Sequence, residues 1–214
     1  MTTKLDLFNS ALLLVGERFL TSLTEEREPR RLLDQVYASG ALKACLEMGQ
    51  WHFAMCTVQI DYDPSIEPDF GYSRAFVKPT DWVLTSSVCS DEFFRDPLTR
   101  HVDESGYWYA EIDTIYVRYV SMAADYGFDM NKWPESFRKY VAAYLACEIV
   151  LKITGSESKT EKLHRVRDEL LKKAKSRAAM AQPTSFPAQG NWSRSRMRGG
   201  LNRDGGNTGG DLIG

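Results

Sequence analysis

Apolar residues recur at three- and four-residue spacing at the start of the chain, at Leu5, Phe8, Leu12 and Val15. That spacing lines one face of a helix over residues 5–15, with Thr3 placed to cap it and Gly16 to stop it. A second helix is predicted from Pro29, a residue suited to a first helical turn, through Leu32, Leu33, Val36, Tyr37, Ala41, Ala44, Cys45 and Met48 to Gly49. The period then changes. Trp51, Phe53 and Met55 alternate with His52, Ala54 and Cys56, continuing to Val58 and Ile60, which predicts a strand. Pro64 and Pro68 punctuate an acidic loop, and residues 72–88 read as extended chain interrupted at Lys78-Pro79-Thr80-Asp81. Ile115, Val117 and Tyr119 share one face of a further strand, for which Gly106 to Ala110 is the expected partner.

Helical signals return at Trp133-Pro134. Phe137, Val141, Tyr144, Leu145, Cys147, Ile149 and Leu151 are apolar on nearly all sides, which predicts a central core helix ending at Gly155. The last helix has a capping-box pattern at Ser158-Lys-Thr-Glu161 and an apolar stripe of Leu163, Val166, Leu170 and Ala174. Its other faces carry Lys162, Arg165, Arg167, Lys172, Lys173, Lys175 and Arg177. The expected fold class is α+β, mainly α. The N- and C-terminal helices form an antiparallel bundle (residues 1–60 and 130–182), a small antiparallel β-rich lobe is inserted between them (61–129), and an extended C-terminal tail follows (183–214).

The tail is compositionally distinct: it holds 8 of the 15 glycines, four arginines, no lysine and few apolar anchors. Such a segment cannot build a core. Ordering it costs about 1–2 kcal/mol per residue, so the surface that offsets this is expected on a partner or a neighbouring copy. Charge is equally uneven. Residues 61–129 carry 5 basic and 14 acidic side chains, residues 159–214 carry 12 and 5, and the whole chain nets −2. This describes an object with an acidic and a basic region, a polarity that matters most when copies align. The chain has no run of about 18 apolar residues and no secretory-type amino terminus, so a soluble, non-secreted protein without membrane insertion is expected. Cys45, Cys56, Cys89 and Cys147 are widely spaced in apolar or strand-like sequence, as buried reduced thiols would be.

Catalytic and cofactor chemistry finds little support. The histidines His52, His101 and His164 form no HExxH or other metal spacing. The run Asp61 to Asp69 resembles a calcium loop, but Ile66 stands where glycine is needed and Tyr72 where glutamate is needed. No phosphate-binding glycine loop or nucleophile-elbow sequence occurs, so no catalytic, cofactor-binding or metal-binding residue is assigned. The basic helix and the tail arginines could meet nucleic acid, yet aromatic interleaving is confined to Trp192 and the pI is about 6.0. Arginine among glycine and serine with one tryptophan suits docking into a protein groove better.

In order along the chain come the Leu5 to Val15 helix closed by Gly16-Glu17, then Ser22-Leu23, and a second helix ending in Gly49-Gln-Trp51-His-Phe53-Ala54. Tyr72 and Phe76 precede Pro79-Thr-Asp81; Val117-Arg-Tyr119, Asp129, Trp133-Pro134, Phe137 and Ala142-Ala-Tyr-Leu-Ala146 follow. This succession resembles the tail tubular protein A family, the head-to-tail adaptors of short-tailed double-stranded DNA phages, over most of the 214 residues. The resemblance implies a non-enzymatic virion protein of the tail or neck, assembled in the host cytoplasm as a homo-oligomeric ring of twelve subunits between portal and tail nozzle. Double-stranded DNA would pass through the lumen without sequence-specific binding. On this reading Phe186, Trp192, Arg194, Arg196, Arg198, Leu201 and Arg203 are the portal-docking residues, and Arg165, Arg167, Lys172 and Lys173 mark a subunit or portal interface helix. The acidic lobe would face the tail. Two alternatives stand beside it: a nucleic-acid-binding module using the same basic helix and tail, and a peptidoglycan hydrolase.

Overall fold

The structure is a computed structural model that describes residues 3–68 and 71–181. They fold as α+β, mainly α, with two small antiparallel sheets between the first helices and the last two. Helix α1 spans Lys4–Val15, and its cap is the expected one. Thr3 Oγ1 accepts from the Asp6 N–H, while the Asp6 carboxylate accepts from the Thr3 N–H at 2.9 Å; Gly16, at φ 86°, closes the other end.

The second predicted helix is broken. Helix α2 spans Glu28–Val36 and α3 spans Leu42–Glu47, joined by a π-helical turn over Tyr37–Ala41. Gly40 adopts φ 101° inside that turn, a conformation that costs a residue with a Cβ but not glycine. The strand predicted from Trp51 begins later, because His52–Ala54 form a 3-10 turn that aims Trp51 back at the helices. Trp51 is buried, its indole N–H donates to the Leu46 carbonyl at 3.0 Å, and its ring lies 4.7 Å from that of Phe137.

The lobe consists of two three-stranded sheets, where one had been expected. Strands β1 (Met55–Asp61) and β3 (Trp82–Cys89) flank β6 (Thr114–Ser121), while β2 (Arg74–Val77) and β4 (Val102–Glu104) flank β5 (Tyr107–Ala110). The expected pairing of residues 106–110 with 115–120 is therefore wrong: β5 turns away at Glu111–Asp113, and β6 pairs antiparallel with β1 and β3 instead. Phe76, Val88, Trp108, Ala110, Ile115, Val117 and Tyr119 make the core of this lobe.

Helix α4 (Glu135–Thr154) buries ten side chains and packs against α1, α2 and α5 (Glu157–Met180), which makes it the centre of the bundle, as its all-round apolar pattern implied. The cap of the next helix differs from the expected one. Ser156, not Ser158, caps α5, accepting from the Lys159 N–H. Gly155 ends α4 in the left-handed region, so only one residue is left to turn the chain before α5 begins.

Sheet and bundle are tied through residues 121–133. Ser121 Oγ, fully buried, donates to the Asp81 carboxylate and accepts from the Ala123 N–H at 3.0 Å; Tyr119 adds a hydroxyl to the same carboxylate at 3.2 Å. The Gly127 N–H donates to the Ser121 carbonyl at 3.1 Å, and the Trp133 indole N–H donates to the Gly127 carbonyl at 2.8 Å.

Candidate functional site

Helix α5 contacts the bundle along a narrow line. Only Leu163, Ala174 and Ala178 are buried on it, whereas Val166 is exposed and Leu170 half-buried, so the predicted four-residue stripe is split between core and surface. Arg165, Lys172 and Lys173 project into solvent, with Arg165 paired to Glu161 one turn earlier. Arg167 differs from the other three. It is half-buried and donates through Nη2 to Asp168 at 2.8 Å. Phe186, Trp192, Arg194, Arg196, Arg198, Leu201 and Arg203 lie outside the described residues.

Where α1 and α5 flank α4, an open groove of about 460 Å³ runs between them. Ala142 is among its lining residues; Leu7, Leu13 and Leu14 from α1 and Val166 and Leu170 from α5 also line it. Leu13 is 64% exposed. An amphipathic helix that satisfies its bundle with Leu7, Phe8, Ala11, Leu12 and Val15 has no internal use for two further leucines outside that face. The apolar run Ala11 to Val15 is too wide for one helix face, which is the sequence signal behind these spare leucines. Asp6, Glu135, Arg138 and Lys139 also line it, and Glu135 pairs with both Arg138 and Lys139.

The acidic lobe spends much of its charge internally. Asp61 accepts from Thr114, Asp63 from the Ser65 backbone and hydroxyl, Asp81 from Ser121 and Tyr119, and Asp113 from Arg74. The calcium-like run thus uses Asp63 to make a turn. Between the two sheets, Lys78 is sandwiched at 3.9 Å from the Trp82 ring and 5.4 Å from the Trp108 ring, with its side chain 5% exposed. It pairs with Asp103, which also accepts from Thr85 Oγ1 at 2.6 Å and the Trp108 indole at 3.1 Å. Burial opposes ionisation of Asp103, but the bonds from Lys78 and Thr85 outweigh it and hold the carboxyl below its ordinary range. Every acceptor and donor in this cluster is satisfied by structural neighbours, which suits a lock between sheets.

No set of groups suited to acid–base or nucleophilic chemistry converges in the described residues. His101 Nδ1 meets the Leu98 carbonyl at 2.6 Å, His52 is exposed beside the Phe53 ring, and His164 lies on α5. All four cysteines are free; Cys45, Cys89 and Cys147 are buried and Cys56 is half-buried. Burial pushes the thiols of Cys45 and Cys147 up to about 12 and about 11, which keeps them protonated and unreactive at neutral pH. Among the described residues no cluster of three or more His, Cys, Asp or Glu is arranged to hold a metal ion, and no helix is long and apolar enough to cross a membrane. Compared with models of known protein families and with curated proteins, the chain matches none.

Proposed function

We propose that this chain is a structural adaptor of a phage virion, a subunit of a ring that joins the portal to the tail nozzle around the DNA channel. One observation carries the reading. The surface that the fold leaves unused is protein-docking chemistry, an apolar groove beside a one-sided basic helix, and that helix leads directly into the arginine- and glycine-rich residues 183–214. On this reading the groove and the outer face of α5, with Arg165, Lys172 and Lys173, meet the portal, and Phe186, Trp192, Arg194, Arg196, Arg198, Leu201 and Arg203 of the segment 183–214 are its further docking residues. The acidic lobe, residues 61–129, points toward the tail nozzle. In a closed ring its charge repeats with the symmetry and repels DNA phosphates, which favours sliding over retention.

Deleting residues 183–214 tests the docking assignment. The truncated protein is expected to fold with an unchanged melting temperature and fail to join the portal; retained joining rejects the assignment. The nucleic-acid reading rests on the same cations and predicts DNA binding by the isolated chain that weakens steeply with salt. Peptidoglycan zymography of the purified chain should give no clearing.

A further inference from the structure

Two features that neither the bundle nor the lobe uses complement each other. The first is the tip that follows β3. It closes through the Ser90 N–H on the Asp96 carbonyl at 3.1 Å and a bridge from Cys89 to Pro97. Inside it, the Asp91 carboxylate accepts from the backbone N–H groups of Arg95 at 3.0 Å and Asp96 at 2.9 Å. Phe94 takes φ 55°, a value a bulky residue holds only where its surroundings over-determine it, and the Arg118 guanidinium covers its ring at 4.6 Å. This turn leaves Phe93 67% exposed. A fixed loop is therefore presenting an aromatic side chain to solvent, with Arg95 5.3 Å from its ring, in a setting of three carboxylates, Asp91, Glu92 and Asp96, against the two cations Arg95 and Arg118.

The second feature is an apolar pocket of about 410 Å³ beside the π-helical turn, lined by Tyr37, Ala38, Leu42, Lys43, Met122 and Phe128. The turn is built for its backbone course: a Cβ on Gly40 would meet nothing within 4 Å, so glycine is there for φ and not for space. Lys43 is the charged residue of the lining and is exposed. The α1–α5 groove is a poorer match for an acidic tip, because Asp6 and Glu135 offset its Arg138 and Lys139. A phosphate-bearing surface is disfavoured by the tip's own carboxylates.

Tip and pocket cannot meet within one chain. The Met122 N–H donates to the Asp81 carbonyl at 2.8 Å, which sets the pocket at the start of β3, whereas the tip follows the end of that strand. Eight extended residues separate the two ends by about 24 Å. We propose that the tip of one copy seats Phe93 in the pocket of the next copy, with its carboxylates facing Lys43. Because the two patches differ, the contact is head-to-tail and repeats from copy to copy until a ring closes. This names the subunit contact of the proposed ring and rests on that reading.

Sedimentation velocity of the full chain over a range of concentrations tests it, using Phe93→Ser to remove the knob and Ala38→Glu to block the pocket. Both positions are exposed, so both variants should keep the wild-type circular dichroism and melting temperature. Each alone should lose association by roughly tenfold or more, the factor that corresponds to about 1.4 kcal/mol. Mixed together they should form one-to-one pairs and nothing larger, since one intact knob and one intact pocket remain. Wild-type rings that persist in both variants overturn the tip–pocket contact and leave the ring reading standing. A wild-type chain that stays monomeric throughout overturns the ring reading itself. Variants that lose association but form no mixed pairs overturn the head-to-tail pairing.

Discussion

Gly127 sits where a methyl group has no room, and Gly127→Ala should destabilise the join between sheet and bundle. A Cβ built there would lie 2.4 Å from the Ser121 carbonyl oxygen and 2.8 Å from Leu46 Cδ1. Neither neighbour can give way easily. The carbonyl belongs to a fully buried residue at the end of β6, and Leu46 is buried in the bundle core. Relief must come from moving residue 127, which strains its N–H bond to that carbonyl and the Trp133 indole bond to its own carbonyl. Overpacking costs about 1–3 kcal/mol, and losing one hydrogen bond adds about 0.5–1.5 kcal/mol. The stiffer unfolded chain offsets about 0.4–1 kcal/mol of this. The net is about 0.5–4 kcal/mol with a midpoint near 2, which for a chain of this size lowers Tm by roughly 1–16 °C. Differential scanning calorimetry or thermal circular dichroism measures it directly. Gly106→Ala is the internal comparison: φ there is 85° but a Cβ meets nothing within 4 Å, so only the left-handed backbone cost of about 1–2 kcal/mol applies. A Gly127→Ala protein that melts within 1 °C of wild type, or above the Gly106→Ala protein, would refute the packing argument.

Ser156→Ala should cost about 1 kcal/mol by removing the α5 cap, whereas Ser158→Ala should be close to neutral, as equilibrium urea unfolding of the two variants would record. Asp34 and Asp103 both have carboxyls held below their ordinary range: burial works against ionisation, but Lys4 and Arg30 outweigh it at Asp34, and Lys78 and Thr85 at Asp103. A depressed folded pKa contributes stability above the unfolded value of about 3.9 and loses it as pH falls through the folded value. Stability should therefore hold from pH 7 to about 5 and fall below about 4, with a smaller fall in Asp103→Asn; an unchanged acid limb in that variant would reject the assignment. Leu13→Asp leaves the bundle core intact, so Tm should shift by less than about 0.5 kcal/mol equivalent while portal co-sedimentation drops by tenfold or more.

Helices α1, α4 and α5 were legible because each carries a periodic or continuous apolar pattern that only one kind of element can bury. The break between α2 and α3 was signalled by Ser39-Gly40, but the apolar positions keep three- and four-residue spacing across it and so read as one helix. The alternation of Trp51, Phe53 and Met55 misled because three alternating apolar residues are too few to separate a strand from the turn that leads into one. Strand pairing was misread because register is decided by side chains distant in sequence: Lys78 wedged between Trp82 and Trp108 joins β2–β5 to β3, and nothing local announces it. Of the proposed interface, the basic face of α5 was visible as composition. The run Ala11 to Val15 signalled spare leucines on α1, but not the groove's shape, which depends on how α1 and α5 splay across Ala142. Helical spacing alone did not reveal that Arg167 is less exposed than Arg165, Lys172 and Lys173.

The central claim is that this chain assembles as an adaptor between portal and nozzle. Its most direct test is native mass measurement of the full chain mixed with the portal ring of the same virion. A closed multi-subunit ring bound to the portal is predicted, lost on deletion of residues 183–214. Bare portal beside monomeric chain would contradict the account.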